Sequence, residues 1–141
     1  MGVNEVSNPS HYTYGAWQPK DFSRAQGLNF NLGSAIKYIT RYRDKGNPEI
    51  DLKKANEFLL FEIRYLEQYG VEIDDTVYKP NPVVLPTEYV KSLNLHPNLE
   101  YAIMLICVAN QDQASIRILR EARVLIAHYI VHELRRGLKY E

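Results

Sequence analysis

Three basic side chains, Lys37, Arg41 and Lys45, follow one another at i, i+4 and i+8. On a helix that spacing sets them along one side. After a Gly-Asn-Pro break at 46–48 come Asp51, Lys53 and Lys54. Between residues 37 and 54 there are six basic residues (Lys37, Arg41, Arg43, Lys45, Lys53, Lys54) and three acidic ones (Asp44, Glu49, Asp51). Lys and Arg gathered beside helix starts are the ordinary materials of a phosphate site. A solvated helix face is the commoner use of such charges. Upstream, His11-Tyr12-Thr13-Tyr14 lies in a loop framed by Pro9 and Gly15. A His beside aromatic rings can stack on a base and hydrogen-bond it. The same rings could equally anchor a loop to a core.

Phosphoryl transfer would ask for more than cations, because carboxylates usually hold Mg²⁺ on the transferring phosphates. Asp44, Glu49 and Asp51 are near, but they form no tight acidic pair, and no Gly-x-x-x-x-Gly-Lys-Ser/Thr loop occurs in the chain. Binding without turnover needs only the cations, a stacking ring and a cavity. Other polar groupings are less pointed. His128 and His132 stand four apart, a spacing that can share zinc, but Glu133 follows them in the wrong order for a metalloprotease helix. No metal ligand is therefore assigned. Cys107 lies in the apolar run Ile103–Val108 and reads as a small buried side chain. Arg117, Arg120 and Arg123 step along one helix face, where pairing with Glu121 is the default.

The elements that must position these residues read as helices throughout. Residues 1–30 suggest an ordered loop with short turns, one of them near Phe22. Leu32, Ala35, Ile36, Ile39 and Tyr42 recur with helical spacing, predicting a helix from about Asn31 to Arg43 with Asn29 or Asn31 as its cap. A second helix is predicted from Glu49 or Asp51 to Tyr69, opened by Pro48 and stopped by Gly70, with Leu52, Ala55, Leu59, Ile63 and Leu66 as its stripe. Residues 70–86 hold Gly70, Pro80, Pro82 and Pro86 and read as a connector. Short helices are expected at Thr87–Leu93 and Pro97–Ala109, then one long helix from Asp112 to Leu138. That last helix carries three apolar stripes, so it should be covered on more than one side, by a partner subunit or by the chain's own core. The expected fold is all-α: one domain over 1–141, with a helical hairpin near the N-terminus, a connector, and a helical half at 87–141.

The composition narrows the function classes. The 141 residues carry 17 Lys+Arg and 17 Asp+Glu, a formal net charge of zero. Neutrality disfavours coating of DNA or RNA polymers and polybasic membrane binding. Zero is an average, since residues 57–88 hold seven acidic residues against two basic ones. A single cysteine admits no internal disulfide and suits a reducing compartment. Met1–Glu5 shows neither a basic nor an apolar leader, and Val6 breaks the myristoylation pattern that Gly2 would begin. Eleven tyrosines stand against one tryptophan and four phenylalanines. Tyr12, Tyr14, Tyr38 and Tyr42 accompany the basic cluster, and Tyr12 is the foremost stacking candidate.

Several separated blocks occur in a fixed order: Asn8-Pro9-Ser10-His11-Tyr12, Phe30-Asn31-Leu32-Gly33-Ser34-Ala35-Ile36-Lys37-Tyr38-Ile39, Arg41, Lys45-Gly46 and Asp51-Leu52-Lys53-Lys54-Ala55. Together they resemble the phage SaV-like family over residues 8–69. Ser34 stands where that family has Asn, and Thr40 where it has Trp. The resemblance implies a phage origin, residence in the host cytoplasm, and kinship with a phage nucleotide kinase that lacks a P-loop. It also implies kinship with a phage product that triggers a bacterial abortive-infection system. Carried over by position, it makes His11, Tyr12, Asn31, Lys37, Arg41, Lys45, Asp51 and Lys54 the polar residues of a nucleotide or phosphate site. The leading expectation is a protein that binds and sequesters a nucleotide signal to counter host immunity. It would act without a cofactor and as a homo-oligomer through its long C-terminal helix. The alternatives are a nucleoside monophosphate kinase, which would use Mg²⁺, and a non-enzymatic protein that engages a host factor.

Overall fold

The computed structural model describes residues 17–73, 85–110 and 112–140. Among them every regular element is helical: α1 (Pro19–Ala25), α2 (Phe30–Arg41), α3 (Pro48–Tyr69), α4 (Pro86–Leu93), α5 (Pro97–Ala109), α6 (Ser115–Tyr129), a π-helical turn (Ile130–Leu134) and α7 (Arg135–Tyr140). The all-α expectation is met, and no described helix is long and apolar enough to cross a membrane.

Local chemistry sets the helix ends. The Asn29 side chain accepts the N–H of Leu32 and so caps α2. Gly46, at φ 71°, turns the chain between α2 and α3 in the left-handed region that suits glycine. Proline occupies the first turn of α1, α3, α4 and α5, where the missing N–H costs nothing. The predicted bounds hold to within a few residues. α2 ends at Arg41 rather than Arg43, and α6 opens at Ser115 rather than Asp112. Asp112 instead forms a turn ahead of the helix, its carboxylate accepting the N–H of Ala114 at 2.7 Å. Nor is the C-terminal helix uninterrupted, since the π turn at Ile130–Leu134 resets its phase.

α2 and α3 form an antiparallel hairpin, as do α5 and α6. The two hairpins meet through α3 against α6, while α1 packs on α2 and α4 on α5. Phe22 of α1 stacks on Tyr89 of α4, ring centroids 4.0 Å apart and planes within 3°, and both are fully buried. Around them lie the expected α2 and α3 stripes, with Leu99, Ile103, Ile106, Leu119 and Ile126 from the second hairpin. α6 is thus covered by α3 and by α5, which accounts for burial on more than one of its sides within a single chain. The third predicted stripe is exposed at Val124 of α6 and at Val131 of the π turn.

Candidate functional site

Tyr38 sits in the C-terminal half of α2, half-buried, with Phe58 of α3 stacked at 5.9 Å and 13°. Three cations converge on this ring: the Arg41 guanidinium at 4.7 Å from its centroid, the Lys37 ammonium at 4.8 Å and the Lys54 ammonium at 5.5 Å. Helix geometry explains the convergence. Lys37 and Arg41 are four apart on α2, and the antiparallel hairpin brings Lys54 of α3 opposite Tyr38. A ring face attracts each cation by about 0.5–1 kcal/mol where exposed. Three like charges around one ring nevertheless repel one another.

Among the described residues no carboxylate forms an ion pair with any of the three: the ion pairs there are Lys53–Glu49, His96–Glu133, Arg120–Glu67 and Arg135–Glu49. Nε of Arg41 is buried without a hydrogen-bond partner. The neighbouring basic residues are spent elsewhere. Lys53 meets Glu49 at 2.9 Å. Arg43 donates to the carbonyls of Leu93 and Asn94 at 2.9 and 3.2 Å, where it satisfies the C-terminal end of α4.

Lys37 also borders a groove of about 380 Å³ between α1 and α2. Lys20 and Arg24 of α1 line it with Ser23, Gly33 and Ser34, and among the described residues no carboxylate does. Gly33 admits α1 this closely, since a Cβ there would stand 3.3 Å from Cβ of Ser23. Sequence reasoning missed Lys20 and Arg24 because residues 1–30 read as loop. Their signal was Pro19 opening a helix that places both on one side, four apart.

The other expected site residues are dispersed. Asn31 does not face the cations: its amide donates to the Glu62 carboxylate at 3.1 Å, and Asn29 does the same at 2.9 Å. Lys45 lies exposed in the hairpin turn, because α2 stops before the i+8 position and the predicted row of three is only two long. Asp51 is buried in the first turn of α3 with Oδ2 lacking a hydrogen-bond partner. Tyr42, expected beside the basic cluster, points inward and shares a 2.7 Å hydrogen bond with Tyr129. Burial and that bond push its phenol up. His11, Tyr12 and Tyr14 lie outside the described residues.

The weaker candidates resolve in physical terms. Burial pushes the Cys107 thiol up to about 12, which disfavours the nucleophilic thiolate. His128 and His132 are exposed with rings 4.3 Å apart. No three His, Cys, Asp or Glu side chains among the described residues gather closely enough to hold a metal ion. Arg120 and Arg123 do not pair with Glu121. Arg120 reaches Glu67 at 3.1 Å and Arg123 the carbonyl of Asn56 at 3.2 Å, so both tie α6 to α3.

Residues 6–59 match the model of DUF3310, a protein family of unknown function. The match takes in α1, α2 and the first half of α3, and so contains every cation around Tyr38 and in the groove. No curated protein and no solved structure matches the chain.

Proposed function

We propose that this chain binds a small phosphorylated ligand, a nucleotide, on the face formed by α1, α2 and the start of α3. The observation that carries the reading is the gathering of Lys37, Arg41 and Lys54 around Tyr38, none of them in an ion pair with a carboxylate among the described residues. A phosphate placed there would offset three like charges and meet donors in geometries that Arg and Lys favour. Lys20 and Arg24 extend the positive groove away from Lys37 and suit a second phosphate or the rest of the ligand. With the phage resemblance of residues 8–69, the reading is of a protein that holds a nucleotide signal rather than converts it. Holding needs only the cations and the ring. Conversion would recruit Asp51, a buried carboxylate on this hairpin end with an unpartnered oxygen.

The test is a thermal-shift screen against mononucleotides, cyclic dinucleotides and ADP-ribose derivatives, since a ligand of the folded state raises the midpoint with concentration. At least one of these should raise it for the wild type. Lys37→Ala and Arg41→Ala should each weaken that ligand roughly tenfold or more, the scale of one lost charge-assisted hydrogen bond. Full binding in both variants would remove the proposed site. Appearance of a new nucleotide species on incubation with a phosphate donor would replace holding by phosphoryl transfer. A midpoint unmoved by every nucleotide would favour engagement of a host protein instead.

A further inference from the structure

A cavity of about 410 Å³ lies away from the basic face. It opens between the start of α2, the end of α3 and the α5–α6 turn. Of its lining, only Asn29 is shared with the basic groove. Among the described residues no lysine, arginine or histidine lines it; Glu62 and Glu72 do.

Glu62 is 93% buried, at 7% exposure, and no cation pairs with it among the described residues. Its charge is held by one amide on each oxygen, from Asn29 and Asn31, and by the N-terminal end of α2 across the hairpin. A carboxylate has about four lone-pair sites, so two donors leave acceptor capacity on the cavity side. The two asparagines of the lining are engaged in the same sense. Asn29 uses its oxygen on the N–H of Leu32 and its nitrogen on Glu62. Asn110 uses its nitrogen on the carbonyls of Gln26 and Gly27 at 3.1 and 3.4 Å, which leaves its oxygen for the cavity. The wall therefore offers acceptors and negative charge, and both of its side-chain amide nitrogens already donate to protein oxygens. At the mouth stand Tyr65 and Tyr69, exposed, with ring centroids 4.8 Å apart.

From this accounting we infer that the cavity is a binding site for a small organic cation rich in N–H donors, an alkylammonium or guanidinium. Its charged end meets Glu62, Glu72 lies at the rim, and the Tyr65 and Tyr69 rings cover the ligand. A guanidinium or ammonium supplies only donors, the complement of this wall, and tyrosine faces attract it as it leaves water. The site shares no charged residue with the phosphate-binding face and stands or falls independently of it.

The probe is agmatine, titrated calorimetrically into the full chain, with 1,5-pentanediol as an uncharged compound of similar length. Saturable agmatine binding and none of the diol are expected. Glu62→Gln should weaken agmatine at least tenfold, and Glu72→Gln and Tyr69→Leu each severalfold. Should Glu62→Gln fail to fold, the two rim variants carry the test, since both side chains are exposed. Lys37→Ala should bind agmatine as the wild type does. Absence of saturable binding, equal uptake of the diol, or rim variants that bind undiminished would each overturn the site.

Discussion

Glu49 is a single side chain asked to neutralise two cations. Arg135 donates to it through Nε at 2.7 Å and through a terminal nitrogen at 3.1 Å, and Lys53 meets it at 2.9 Å. Those bonds, Arg135 foremost, lower its carboxyl from 4.5 to about 2. A folded-state pKa below the unfolded one means that the ionised form favours folding. The contribution is complete above about pH 4.5 and is lost as the pH falls toward 2. The pair is open to solvent, so the effect is modest. Glu49→Gln should lower the urea midpoint slightly at pH 7, and the gap to wild type should close progressively between pH 4.5 and 2. Urea midpoints followed by circular dichroism at pH 7, 4 and 2.5 check this, and a gap that stays constant with pH would refute it. The same bonds decide what is left for function. Glu49 takes Lys53 out of the basic cluster and the end of α4 takes Arg43, while Lys37, Arg41 and Lys54 gather around Tyr38.

Between elements, a polar contact buried in the core is more informative than another apolar one. Thr40 near the end of α2 and Tyr89 of α4 share a buried 2.9 Å hydrogen bond. Burial pushes the Tyr89 phenol up, so it stays protonated. Removing either hydroxyl strands the other, at a cost of about 1–3 kcal/mol, whereas removing both strands nothing. Thr40→Val and Tyr89→Phe should each lower stability by that amount, and the double variant should recover most of it. A double-mutant cycle on urea midpoints measures the coupling; additive losses would mean that the bond contributes nothing. Thr40 shows where sequence reading stops. The 3.6-residue recurrence of Leu32, Ala35, Ile36 and Ile39 announced α2 and its buried face, and Pro48 and Gly70 announced the bounds of α3. That a threonine would meet a tyrosine 49 positions away is a tertiary fact with no local periodicity to betray it. The π turn was hidden for the same reason: three apolar stripes fit a straight helix, and the slip of phase shows only in the folded chain, where the turn meets α3. The candidate site was half legible. Lys37 and Arg41 followed from i, i+4 spacing, and Lys54 from the hairpin. Asn31 shared a helix with them but answers to Glu62 on the opposite end of α3.

For the molecule as a whole, a net charge of zero conceals two opposed fields. The α1–α2 face with Lys54 gathers Lys20, Arg24, Lys37 and Arg41, and the cavity at the other end of α3 gathers Glu62 and Glu72. With no net charge, long-range attraction to any charged ligand cancels within a few Debye lengths, and only the local face acts. A nucleotide held by exposed cations should therefore be salt-sensitive without the protein behaving as a polycation. Raising NaCl from 50 to 300 mM should weaken the nucleotide identified by thermal shift about three- to tenfold, because exposed charges are screened over that range. Duplex DNA should show no measurable affinity even at 50 mM, since a continuous phosphate lattice would also meet the acidic end. Equilibrium titrations across the salt series, with the nucleotide and with a 20-base-pair duplex in parallel, give both readings. Salt-independent nucleotide binding would place the ligand away from the cation cluster. Tight duplex binding would show that the basic face acts as a nucleic-acid surface, with α1 and α2 as its contact elements.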